Sequence, residues 1–158
     1  MKKIFNLVII SLLFSQFLSA QNEIKVSNHL RQLNNDTLLY LKEKVIGQKN
    51  LYIGKPLDSL LKDLPTIISE YFNNDNPKNR FLCYGTSFSF FPIREIPNKI
   101  SQKKQPLIIV ITWSTPLNTN ELSTLGLAKM FAGKWTQVAH DYFKNKIVKN
   151  IEMVKYDF

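Results

Sequence analysis

The chain has 158 residues, 44% of them hydrophobic and 21% charged, and its 21 Lys and Arg outweigh 12 Asp and Glu to give a formal net charge of +9. One cysteine excludes an internal disulfide framework, and two histidines without C-x-x-C or H-x-x-x-H spacing give no basis for a metal site or a cofactor. The positive balance points to anionic partners or simply to solubility, and its scatter along the chain argues against one dedicated nucleic-acid patch.

Residues 1–20 read as a secretory signal peptide. Lys2 and Lys3 form a positive start, Ile4 to Leu18 is almost wholly apolar, and Leu18-Ser19-Ala20 supplies small residues before the polar Gln21-Asn22-Glu23. The apolar run is about 15 residues, shorter than the roughly 20 needed to span a bilayer, so cleavage after Ala20 is expected rather than retention as an anchor. The domain then covers residues 21–158, exported to the periplasm or beyond. Export makes nucleic acid an unexpected partner. No later stretch is apolar enough to cross a membrane.

Asp36 is a helix N-cap, and Leu38, Leu39, Leu41, Val45 and Ile46 recur at helical spacing up to Gly47, which predicts a helix over 37–46. A second is predicted from Leu57, Leu60, Leu61 and Leu64, opened by Pro56 and stopped by Pro65. Ile67 to Phe72 reads as a strand closed by the turn-forming Asn73-Asn74-Asp75-Asn76-Pro77. Residues 80–91, RFLCYGTSFSFF, alternate large side chains (Leu82, Tyr84, Thr86, Phe88, Phe90) with small ones (Cys83, Gly85, Ser87, Ser89). That period of two predicts a strand whose small face lets a helix lie close. Pro92 to Pro106 is expected to be an exposed loop.

Leu107 to Trp113 is apolar on both faces, as in a covered central strand. After Pro116 the chain is predicted helical, with Asn118 or Thr119 capping a short turn. A longer helix follows from Lys134, with Trp135, Val138, Ala139, Tyr142 and Phe143 on its apolar face. Ile147 to Tyr156 is a last strand. The predicted class is α+β: an antiparallel sheet of about four strands with helices packed mainly on one face.

Cys83 is the only candidate nucleophile. A thiol hydrolase needs a histidine to ionise it and a group to orient that histidine. His29 lies in the polar lead-in. His140 stands beside Asp141, but sequence neighbours on a helix point about 100° apart, which predicts that Asp141 does not orient it. Cys83 is therefore expected to be a buried small hydrophobe. Glu70 interrupts an apolar strand and is either a buried acid or a residue at a sheet edge facing water. Gly54-Lys55-Pro56 precedes a helix but lacks the glycines and Lys-Ser/Thr pair of a phosphate loop.

These residues predict a small exported binding protein without catalytic activity, inhibitor-like, immunity-like or envelope-binding. Its contact surface is expected at Arg94, Lys99, Lys103 and Lys104 with Trp113, facing an anionic protein or envelope component; Trp135 is the other aromatic candidate. The competing reading is a small exported hydrolase using Cys83 with His140, or Glu70 as a carboxylate.

Overall fold

The computed structural model describes residues 25–33, 36–76, 78–128 and 132–158, without the side chains of residues 75 and 76. The expected signal segment over residues 1–20 lies outside them. The described elements form an α+β fold with a five-stranded antiparallel sheet and several helices.

Helix α1 covers 25–32. Helix α2 (Thr37–Tyr40) is opened by Asp36, whose carboxylate accepts a hydrogen bond from the Leu39 N–H at 2.9 Å and so satisfies a donor that the first turn leaves without a partner. The chain then widens into π-helical Leu41–Ile46 and stops at Gly47 as predicted, with Tyr40, Leu41 and Val45 buried. Helix α3 (Asp58–Leu61) is shorter than its leucine spacing suggests. Its first donors are taken by another segment, Leu57 N–H by Lys146 O and Asp58 N–H by Lys144 O. Past Leu61 the chain tightens to i→i−3 bonding, Asp63 N–H to Leu60 O, which ends the regular helix.

The strands are β1 (Glu70–Asn76), β2 (Asn79–Ser89), β3 (Ile108–Asn118), β4 (Gly133–Lys134) and β5 (Val148–Met153), in the order β4-β1-β2-β3-β5. β4, only two residues long, is the strand that the periodicity does not predict. Asn73 and Asn74, expected in a turn, are inside β1. Their amides are satisfied there: the Thr86 hydroxyl donates to Asn73 Oδ1 at 3.1 Å, Asn73 Nδ2 donates to Leu127 O at 3.2 Å, and the Asn74 amide meets Ser87 Oγ at 3.3 Å. Asparagine disfavours strands chiefly because it competes for local backbone bonds, and cross-strand partners remove that competition.

Register shows which face is which. Tyr71, Phe88 and Ile109 stand side by side, followed by Asn73, Thr86, Ile111 and Ile151. Helix α6 (Gln137–Phe143) inserts Phe143 against this large-residue face, meeting Tyr71, Phe88 and Trp113. Helix α6 thus lies on the large-residue face of β2, while Gly85, Ser87 and Ser89 point the other way and are buried as well. Cys83 departs from that face through a bulge: β1 pairs Asn74 with Gly85 and Asp75 with Cys83, skipping Tyr84. The extra residue leaves Tyr84 43% exposed and turns Cys83 into the core.

β3 runs through Pro116 to Asn118 instead of stopping before it. Its pairing with β2 jumps from Gly85↔Thr112 to Cys83↔Leu117, so Pro116 falls in the unpaired stretch where its missing N–H costs no ladder bond. Asn118 then caps α5 (Thr119–Thr124), accepting from the N–H groups of Asn120 and Glu121. Pro92 to Pro106 is not an unstructured loop: it holds a 3-10 turn, Ile93–Glu95, and α4 (Ile96–Ser101). Lys134 begins no helix. Thr136 caps α6 by accepting from Ala139 N–H, which leaves Val138 53% exposed.

Replacing Phe143 by Ala removes the side chain on which five aromatic contacts converge and is expected to cost about 3–5 kcal/mol in urea unfolding. Gly133→Ala places a Cβ 2.5 Å from the Tyr71 ring. Since Tyr71 is itself buried and fixed, about 1–3 kcal/mol of destabilisation is expected, whereas Gly54→Ala meets no neighbour and pays only for its positive φ of 78.

Candidate functional site

The three residues of the hydrolase reading are placed by different elements. Cys83 has no exposed surface, and its Sγ donates to Gly85 O at 2.9 Å, within the same core as Leu117 and Leu122. Nearby, the Tyr142 hydroxyl donates to Glu121 Oε2 at 3.1 Å, and burial first, then Glu121, pushes its pKa up. His140 is one-third exposed on α6 and lines a groove of about 550 Å³ together with Leu30, Leu61, Ile68 and Trp135, which Cys83 does not line. Its ring meets Trp135 edge-on at 6.1 Å.

His140 Nδ1 does lie 3.4 Å from Asp141 Oδ1, a contact that the adjacent-residue argument had predicted against. The same oxygen takes a much shorter bond from Lys144 at 2.5 Å, and Gln137 donates to the other. Lys144 first and then Gln137 hold the Asp141 carboxyl down to about 2. The carboxylate therefore serves the outer face of α6 more than the imidazole.

Glu70 is half-buried on β1, and its Oε2 accepts the Ile93 N–H at 2.7 Å. It pairs with Ser89, at the other end of β2 from Cys83, and tethers the start of the 92–106 connection to the sheet. Within that connection Pro97 lies in the first turn of α4, where a proline costs no bond. Arg94, Lys103 and Lys104 are exposed, and Lys103 takes a left-handed backbone with φ 55. Lys104 N–H bonds back to Lys99 O, so Lys99, Lys103 and Lys104 are held around the end of α4. Lys99 Nζ stands 3.6 Å from the centre of the Phe91 ring, a cation–π contact that orients the charge at the surface.

Trp113 does not belong to this surface. It is 2% exposed, stacks on Phe143 at 5.8 Å, and donates its indole N–H to Thr86 Oγ1 at 3.0 Å. Central-strand position decides this: the strand end that looked exposed is prolonged by five further residues. Trp135 is half-buried and does line cavities. Lys134, read from the sequence only as the start of a helix, is set opposite Glu70 by a two-residue strand. No periodic signal marks the union of His29, Lys25, Lys44 and Asp63 around a cavity of about 200 Å³, where the Tyr52 hydroxyl donates to Asp63 Oδ2 at 2.9 Å. Burial, followed by Asp63, raises the Tyr52 pKa.

Among the described residues no group of three or more His, Cys, Asp or Glu is placed to hold a metal ion, and no helix is long and apolar enough to cross a membrane. Compared with known proteins, the chain matches no family model, no curated protein and no solved structure.

Because Cys83 is sealed within the core, a small alkylating reagent such as iodoacetamide is expected to label the folded protein only as fast as the chain opens. Mass spectrometry over a urea series checks this: labelling should follow unfolding, and rapid modification without denaturant would show a solvent path to the thiol.

Proposed function

We propose that the chain is an exported binding protein without catalytic activity, which uses the basic 92–106 connection to contact an anionic protein or envelope component. One observation carries this reading. Arg94, Lys99, Lys103 and Lys104 fall together on one short connection, and among the described residues none of them makes an ion pair. Cations on a single connection without carboxylate partners keep their full charge for an incoming surface, and such charges act mainly on encounter rate and specificity. The tether from Glu70 to Ile93 fixes one end of the connection, which lowers the ordering cost of contact.

An inhibitor-like or immunity-like partner of an acidic protein fits this chemistry, as does a module that binds the envelope. Burial of Cys83 supports the non-catalytic reading over a thiol hydrolase. Export rests on the segment ahead of Gln21: a positive start, an apolar run and small residues before a polar stretch.

Capture from an envelope fraction tests the surface. The wild-type chain is expected to retain a partner that is lost on raising salt and lost with Arg94, Lys99, Lys103 and Lys104 changed to Glu; unchanged capture by that variant refutes the assignment. Export is checked separately by N-terminal sequencing of protein recovered from the periplasm or medium, which should begin at Gln21.

A further inference from the structure

The groove of about 550 Å³ that His140 lines is built by parts of the chain that the basic connection does not touch. Val26 and Leu30 reach it from α1, Leu61 and Leu64 from the end of α3, and Ile67 and Ile68 from the segment that leads into β1. Trp135 closes another side, its ring fixed by stacking on Phe143 at 6.0 Å. The volume falls within the roughly 300–1,000 Å³ usual for small-molecule sites.

The walls are mainly aliphatic and only partly covered. Val26, Leu30, Leu61, Leu64 and Trp135 pack against the core, yet each keeps part of its surface open, and Ile67 is 81% exposed. Apolar side chains gathered around one groove and left partly wet are surface that an apolar occupant removes from water. The polar lining has one sign. Lys62 and His140 line the groove with Ser27 and Thr66, and no Asp or Glu stands among the described residues that do. Asp58, which holds Lys62 Nζ at 2.6 Å, lies outside that lining, and the ammonium keeps further N–H donors. On the same wall Thr66, Ile67 and Ile68 make no backbone hydrogen bond among the described residues, so their N–H groups are unused as well. Donors beside Lys62, with an aliphatic trough beyond them, match an anion carried on a flexible hydrocarbon chain.

We propose that this groove binds a straight-chain carboxylate of the fatty-acid type. Lys62 and the free N–H groups of Thr66 and Ile67 take the head group, and the chain lies against Leu30, Leu61, Leu64 and Trp135. Aliphatic walls suit a chain of rotatable methylenes, each of which adds apolar burial. The groove and the 92–106 connection share no residue, so the site stands or falls apart from that surface.

Decanoate below its micelle concentration is the probe, read by tryptophan fluorescence and by titration calorimetry. Trp113 is enclosed in the core, so the optical change reports Trp135. Decanoate is expected to bind saturably, with octanoate and hexanoate weaker by about fourfold for each methylene removed. Decyltrimethylammonium, with the same chain and the opposite charge, should bind more weakly than decanoate. Lys62→Gln should raise the half-saturating concentration about threefold, the scale of one exposed charge contact, and Ile67→Ser about fivefold through lost apolar cover. Both side chains are exposed, so neither change removes core packing. Lys99→Gln with Lys103→Gln and Lys104→Gln leaves binding unchanged. The proposal is overturned if decanoate shows no saturable binding by calorimetry, if octanoate binds as tightly as decanoate, or if decyltrimethylammonium does. Those three outcomes need no variant, so they stand even if a substitution impairs folding.

Discussion

Phe143 is the residue through which the sheet and the rest of the chain are joined. It stacks on Trp113 and Trp135 and meets Tyr71, Phe88 and Tyr142 edge-on, with ring centres between 5.1 and 6.0 Å. Offset and edge-on pairs of this kind add about 0.5–1.5 kcal/mol each beyond the area they bury. Their partners come from β1, β2 and β3 and from the segment before α6, so one side chain of a seven-residue helix ties three strands together. Rings that large bring polar atoms inside with them, and these must be satisfied. The Trp113 indole donates to Thr86, Thr86 to Asn73, and both Asn73 and Tyr71 donate to Leu127 O. Among the described residues no buried side-chain nitrogen or oxygen lacks a partner.

That chain of hydrogen bonds explains the position of the candidate sites. Tyr71 and Asn73 anchor the segment after α5 by its Leu127 carbonyl, and the chain returns from there to pair at the edge of β1. Gly133 is needed at that return because any larger residue strikes the Tyr71 ring. Lys134 and Trp135 follow directly, so the packing of the core decides which side chains stand beside Glu70. Meanwhile the bulge at Tyr84 directs Cys83 inward, removing the one thiol from contact with solvent.

Much of this architecture is legible in the sequence where a local signal controls the outcome. Asp36 and Asn118 cap helices because a short polar side chain before an apolar repeat has few better uses. The class and the β2 and β3 strands follow from alternation and from a continuous apolar run. Errors arise where distant partners intervene. Asn73 and Asn74 have strong turn propensity, which cross-strand amide bonds override. Pro116 signals a break, but the bulge opposite Cys83 accommodates it without ending β3. Trp113 has the composition of a surface aromatic near a strand end, and only the length of β3 shows that it is central. The Glu70–Lys134 pairing joins residues 64 positions apart through a two-residue strand, too short to leave any periodic trace.

The margins of the sheet have a further effect on how the molecule behaves in company. An exposed strand edge is a template on which other chains can polymerise, and the hazard grows with the length and apolarity of that edge. Here β4 covers only Glu70 and Tyr71 of one margin, and beyond them β1 presents Asn73 and Asn74, whose side chains are engaged by Leu127 O and Ser87 Oγ. The other, β5, places Lys149 and Glu152 at the solvent, with Glu152 engaged by Asn150. Rims that are polar or charged in this way offer strangers little apolar edge to extend, which opposes fibrillar self-association.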